Sequence, residues 1–133
     1  MAQRLPVQIS DYIAQLESQD PAALVAAFDR YGFYLYATPN HEPVIGYSAA
    51  DLLTMNLTQV INQPEHHAAW VLRTISVLYS KPIPFSTKLV AKPGHLVRIS
   101  GTLRHISVPE GGMYFVSSVK VMASASDSGK IRE

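Results

Sequence analysis

The sequence predicts an α+β domain in which a five-stranded antiparallel sheet carries helices on one face. Two observations predict it. Apolar residues recur mainly at helical spacing before residue 81 and alternate with polar residues after it. Turn-forming residues separate the alternating segments, so that neighbouring strands are joined by hairpins. The 133 residues, 47 % apolar and 16 % charged, are enough for one domain with a real core.

Composition excludes several classes of function. The net charge is +1, and 11 basic and 10 acidic residues are spread along the chain, which argues against nucleic acid as a partner. Cysteine is absent, which excludes disulfides, thiolate catalysis and cysteine-ligated metals. No apolar run approaches the ~20 residues of a membrane span, and the amino terminus lacks the apolar centre of a secretion signal. We therefore expect a cytoplasmic protein.

The first predicted element is a short amphipathic helix within "PVQISDYIAQLESQD". Ile9, Ile13 and Leu16, with Tyr12 beside them, recur at helical spacing between polar residues. We expect this helix to lie across the open face of the sheet. These four residues are the candidate homodimer interface. The predicted organisation is a flanking helix at 1–20, the main domain at 21–122 and a polar tail or linker at 123–133.

A hairpin follows the helix. The Asp-x-x-Gly turn of "DRYG" separates residues 24–29 from the aromatic-rich residues 33–38. Both segments are predicted to be strands paired with each other.

The stretch "VIGYSAADLL" predicts a corner between two short helices. Gly46 tolerates the left-handed backbone that ends a helix. Ser48 is a suitable N-cap, and Asp51 follows three residues later in a spacing close to the capping box. Short helices packed end to end are therefore predicted between residues 39 and 62.

A longer helix and three strands complete the predicted order. Residues 64–80 carry their apolar side chains on one helical face, and "KPIP" ends the helix. The apolar positions of this face are Ala68, Val71, Leu72, Ile75, Leu78 and Tyr79. In the strands that follow, Val97, Ile99, Gly101, Leu103 and His105 alternate with Arg98, Ser100, Thr102 and Arg104.

Four segments in this order resemble the PAS family of sensory domains. They are "AFDRYGFYLYATPN" (27–40), "VIGYSAADLL" (44–53), "VINQPEHHAAW" (60–70) and "KPGH" (92–95). The resemblance covers roughly residues 24–122. It implies a PAS-like fold and a sensory or regulatory domain of a signal-transduction system. Such a domain would bind a small ligand or a protein partner and signal through the packing of a homodimer.

The resemblance also implies a pocket between the sheet and the helices. Its candidate walls are Phe33, Leu35, Leu53, Val60, Val71, Ile75, Phe85, Val97, Ile99, Leu103, His105, Phe115 and Ser117. The same residues would also suit an ordinary filled core, which would favour a protein-interaction module instead. Sparse polar groups suggest a small apolar or weakly polar ligand, because Arg98 and Arg104 alternate outward.

The sequence does not identify a cofactor. The chain has no cysteine for the flavin adduct of light-oxygen-voltage domains. Some PAS sensors ligate haem through a histidine on the long helix, and His66 and His67 begin the matching helix here. Neighbouring histidines point about 100° apart on a helix, so only one would face inward. We favour solvated polar roles for both histidines, and no metal site is predicted.

An alternative from another class is a small cone-fold enzyme, such as an isomerase or hydrolase. It would use an Asp-His pair in an apolar pocket, and Asp29 with His41 or Glu65 with His66 are the candidates. The fold does not decide between the two classes, because function resides in the site. A sensory domain would act through a signalling partner protein or through an effector domain outside this sequence.

Overall fold

The helices and strands follow one another in the predicted order. The structure, a computed structural model, describes residues 5–122, so the predicted tail at 123–133 lies outside the described residues. The helices are α1 (Val7–Gln19), α2 (His41–Ile45), α3 (Ala49–Leu52) and α4 (His66–Ser76), with 3-10 turns at Leu57–Gln59 and Gln63–Glu65. The strands are β1 (Leu24–Phe28), β2 (Tyr34–Ala37), β3 (Ile83–Val90), β4 (Leu96–Ser107) and β5 (Met113–Val121).

The five strands form one antiparallel sheet in the order β2-β1-β5-β4-β3. The predicted α+β fold class is thereby confirmed. Because side chains alternate across a strand, β1 contributes to both faces of the sheet. Leu24, Ala26 and Phe28 join the core beneath α2–α4, whereas Val25 and Ala27 join a second core beneath α1.

The helix α1 crosses the face of the sheet opposite α4. Ile9 is fully buried and Ile13 is 4 % exposed, and both pack with Val25 and Val116. Two of the four candidate dimer residues are therefore occupied within the protomer. Tyr12 and Leu16 are half-buried and lie at the edge of this core. A dimer interface on α1 stays a prediction that would use the outer surface of the helix.

The corner between α2 and α3 has the predicted chemistry. Gly46 ends α2 with a φ of 84°, in the left-handed region that favours glycine. The Asp51 backbone N–H donates to Ser48 Oγ at 3.0 Å, and the Ser48 N–H donates to Asp51 Oδ2 at 3.1 Å. This reciprocal capping box starts α3 at Ala49, so that three residues separate it from the end of α2 at Ile45.

The long helix is shorter than the sequence pattern predicts. α4 ends at Ser76, whose hydroxyl donates to the carbonyl of Arg73 and so competes with the helical hydrogen bonds there. Leu78 and Tyr79, expected on its apolar face, are 76 % and 48 % exposed. Because these side chains find no core to contact, packing does not favour extending the helix to residue 80.

Candidate functional site

The described residues line an apolar cavity of about 370 Å³ between the sheet and α4, which is partly open to solvent. The strands β1, β4 and β5 form its floor through Leu24, Ala26, Phe28, Ile99, Leu103 and Phe115. The helix α4 forms its roof through Ala68, Ala69, Val71, Leu72, Arg73 and Ile75. Its volume falls within the ~300–1,000 Å³ that is typical of small-molecule pockets. The cavity therefore has room for a ligand.

Part of the predicted pocket lines this cavity. The predicted residues found there are Val71, Ile75, Phe85, Ile99, Leu103, Phe115 and Ser117. They come from α4, β3, β4 and β5, where regular periodicity fixes the direction of each side chain. These elements are long, so the periodic pattern of the sequence repeats often enough to predict which face each side chain occupies.

The other predicted wall residues lie outside the cavity. Phe33 is 49 % and Leu53 is 39 % exposed, because Tyr34 and Leu52 take the buried positions beside them. Val60 is fully buried and Val97 packs against the core, both without reaching the cavity wall. The remaining two are Leu35, which is half-buried in β2, and His105, whose ring lies 5.4 Å from that of Phe115.

A β-bulge explains the error in β2. Ala27 pairs with Tyr36, but the next residue, Phe28, pairs with Tyr34, so Leu35 is an extra residue without its own partner. An extra residue reverses which face the following side chains occupy. Tyr34 therefore joins Phe28 in the cavity wall, with ring centroids 4.6 Å apart, whereas strict alternation would place Phe33 and Leu35 there.

Tyr34 brings a hydroxyl into a mostly apolar wall. Its side chain is 5 % exposed, and burial raises the pKa of its phenol. The hydroxyl therefore stays protonated at any physiological pH and can donate a hydrogen bond.

His41 is a second buried polar group at the cavity, and it is 4 % exposed. Its Nδ1 lies 2.8 Å from the carbonyl oxygen of Thr38. Because a carbonyl only accepts, Nδ1 carries the proton and Nε2 of the neutral ring is left as an acceptor. Burial lowers the pKa of His41, which outweighs the opposing effect of the Thr38 hydrogen bond and favours this neutral form.

A polar network joins His41 to the segment between α1 and β1. The Thr38 hydroxyl donates to Asn40 Oδ1 and accepts from the Val25 N–H at 3.2 Å. Asn40 Nδ2 in turn donates to the carbonyl of Ala23 at 3.0 Å. One wall of the cavity is thereby connected through hydrogen bonds to the start of β1.

Arg73 places a guanidinium at the cavity wall, from the last turn of α4. Its Cζ lies 6.0 Å from the centroid of the Phe115 ring on the cavity floor. The helical pattern gave no signal for this position, because Arg73 points about 100° away from Leu72 and lies outside the predicted apolar face. The expectation of outward arginines concerned only β4, so this cation was missed.

The histidines considered for haem lie away from the cavity wall. His66 Nε2 lies 3.0 Å from the carbonyl of Ile61, and the exposed His67 ring stacks near Trp70 at 6.4 Å. Among residues 5–122, no three His, Asp or Glu side chains cluster in a way that would hold a metal ion.

The acid-histidine pairs of the enzyme alternative are not joined. Asp29 Oδ1 accepts from the N–H groups of Tyr31 and Phe33 and shapes the turn after β1. His41 bonds Thr38 instead of Asp29, and His66 bonds the backbone of Ile61 instead of Glu65. Their hydrogen bonds are those of structural residues.

Comparison with known proteins identifies the fold. No family model matches the sequence, and no curated protein does either. Solved structures match well in shape. A PAS domain from a two-component sensor histidine kinase has a TM-score of 0.66 at 15 % identity, covering 88 % of this chain and all of that one. The chain therefore has a PAS fold.

Two further structures illustrate the range of similar proteins. The PAS-B domain of Drosophila melanogaster Cycle, with bound ethylene glycol, has a TM-score of 0.69 at 12 % identity, covering 74 % of this chain and 99 % of that one. A light-oxygen-voltage domain has a TM-score of 0.68 at 10 % identity and covers 92 % of each chain. No helix within residues 5–122 is both long and apolar enough to cross a membrane.

Proposed function

We propose that this chain is a sensory or regulatory domain that binds a small ligand in the cavity beneath α4. The observation that carries the proposal is the cavity itself, about 370 Å³ in volume and lined mainly by apolar side chains. A filled core would leave no such space, since protein interiors pack without large voids. The similar PAS domain from a histidine kinase supports a place in a signal-transduction system.

The ligand would act by ordering α4. Ile75 lines the cavity and is still 41 % exposed, and Trp70, which does not line the cavity, is 56 % exposed. A ligand that fills the cavity would add contacts to α4 that the empty protein lacks, and would so favour one position of the helix. We propose that this change alters the packing of a homodimer or the contact with a signalling partner, in the cytoplasm and without catalysis by the domain itself.

Native mass spectrometry of the freshly purified protein tests ligand binding. We expect a stoichiometric extra mass, or, for a ligand lost in purification, amide NMR shifts on α4 and β5 when small apolar compounds are added. A bare polypeptide mass together with no shifts around the cavity would contradict the proposal. An absorption spectrum from 300 to 700 nm would show in addition whether the ligand is a flavin or a haem.

Sedimentation velocity tests the dimer. We expect a dimer whose association weakens when Leu16, at the half-buried edge of α1, is changed to Glu. A matched change on the sheet surface far from α1, Lys88→Glu, should leave association unchanged. A wild-type protein that stays monomeric at all accessible concentrations would contradict dimer signalling but not ligand binding.

A further inference from the structure

Among the described residues, 5–122, Arg73 is the one permanently charged side chain that lines the cavity. The other lining residues in this range are apolar apart from Tyr34, His41, Ser86, Thr87 and Ser117, and none of them is Asp or Glu. His41 is held neutral by its burial, and Tyr34 retains its phenolic proton. The formal charge on the described part of the cavity wall is therefore positive, and it is carried by the guanidinium of Arg73.

The guanidinium of Arg73 has no ion-pair or hydrogen-bond partner among residues 5–122. The ion pair in this part of the chain joins Lys120 to Asp20, and the side-chain hydrogen bonds there do not include the Arg73 guanidinium. The residue is half-buried, and its Cζ lies 6.0 Å from the Phe115 ring. A guanidinium so placed lines the cavity with its N–H donors available to a ligand that carries the opposite charge.

Gly32 leaves space for this guanidinium. A Cβ atom at Gly32 would lie 3.1 Å from Arg73 Nη1 and 3.1 Å from Asn56 Oδ1. Asn56 uses its own side chain to bond Thr58 and the carbonyl of Tyr31, so it is not directed at Arg73. The turn after β1 thus accommodates the guanidinium without satisfying its five donors.

We propose that the ligand of the cavity is a carboxylic acid with an apolar body, whose carboxylate pairs with Arg73 and whose body fills the space between α4 and the sheet. The planar guanidinium matches a carboxylate through two parallel hydrogen bonds, and the apolar lining matches an alkyl or aryl chain. This replaces the neutral ligand expected from the sequence. The inference rests on the proposed function, because it names the ligand class of the same cavity.

Calorimetric titration with octanoate and with octan-1-ol tests the inference, because the two compounds share a chain and differ in the charged group. We expect octanoate to bind the wild-type protein about 10- to 100-fold more tightly at pH 7.5. Arg73→Gln should remove that preference while leaving octan-1-ol binding unchanged. The control Arg98→Gln removes the same charge from an exposed position on β4 and should change neither affinity.

The outcomes separate this inference from the proposed function. Equal binding of octanoate and octan-1-ol, or octanoate binding that survives Arg73→Gln, would overturn the carboxylate ligand while ligand binding in the cavity stands. Binding of neither compound would overturn both. Arg73→Lys keeps the charge but loses the bidentate geometry, so we expect an intermediate octanoate affinity. Equal melting temperatures of the variants would show that folding is preserved.

Discussion

On one face of the sheet α1 packs over β1 and β5, whereas on the other face a cavity of about 370 Å³ lies between α4 and the strands. Ile9 on α1 is fully buried, while Ile75 on α4 is 41 % exposed. Both helices are amphipathic, so hydrophobicity alone does not explain the difference. It teaches that a buried core stabilises both faces of this sheet, and that the face beneath α4 also has space for a ligand.

Two neighbouring residues of strand β1 show the difference between the two faces of the sheet. Ala26 lines the cavity and Ala27 packs beneath α1, although both are small and at most 2 % exposed. Beneath α1 a small side chain permits close packing of the helix. Beneath α4 the same side chain leaves open space.

Truncation of a core isoleucine on each face gives the largest expected effects. Ile9→Ala should lower the free energy of unfolding by about 3–4 kcal/mol, and Ile99→Ala by about 2 kcal/mol, at the lower end of the range for such changes. Ile9 is enclosed on all sides, whereas Ile99 already faces the cavity and has fewer contacts to lose. Urea denaturation measures both values. A larger loss for Ile99→Ala would reverse the comparison.

The pH dependence of stability provides a smaller effect, specific to the cavity face. Burial lowers the pKa of His41 from its ordinary value of 6.5. Between that value and the lower pKa of the folded state, the unfolded chain therefore binds more protons than the folded protein. The free energy of unfolding should therefore fall as the pH drops from 7 through the pKa of the folded state. His41→Gln should flatten this slope between pH 7 and 5.

His105 supplies the matched control for this slope. Partial burial lowers its pKa in the same direction, but its side chain is only half-buried and lies outside the cavity wall. His105→Gln should therefore change the slope less than His41→Gln. A slope that depends mainly on His105 would show that His41 already takes up a proton within the folded protein.

Hydrogen exchange should show the smallest difference between the faces. We expect amides of Leu72–Ser76 in α4 to exchange through local opening, faster than amides of Val116–Val119 in β5. Octanoate should slow exchange of the α4 amides by a factor of up to 1 + [octanoate]/Kd and leave exchange of the α1 amides unchanged. Uniform protection of α1 and α4 in the absence of ligand would argue against a looser cavity face.

The sequence was sufficient for the order of the elements and the antiparallel hairpins. Periodicity and turn residues are local signals, and the Ser48–Asp51 capping box depends on four consecutive residues. In the long strands the alternating pattern also indicated residues that line the cavity, such as Ile99 and Leu103.

The sequence was insufficient where side-chain direction depends on irregular backbone or on distant contacts. The bulge at Leu35 brought Tyr34 into the wall, and α3 is only four residues long, too short for periodicity to choose between Leu52 and Leu53. The burial of His41 depends on a network that reaches from Thr38 to Ala23. No local pattern contains that information.

Substitution of the two neighbouring alanines of β1 by valine tests the central claim most directly. Ala27→Val should lower the free energy of unfolding by about 1–3 kcal/mol, because the core beneath α1 has no room for two methyl groups. Ala26→Val should change it by less than about 1 kcal/mol, because the methyl groups enter the cavity, and should weaken octanoate binding. Equal destabilisation by both changes, with octanoate binding unaffected by Ala26→Val, would contradict a ligand cavity beneath α4.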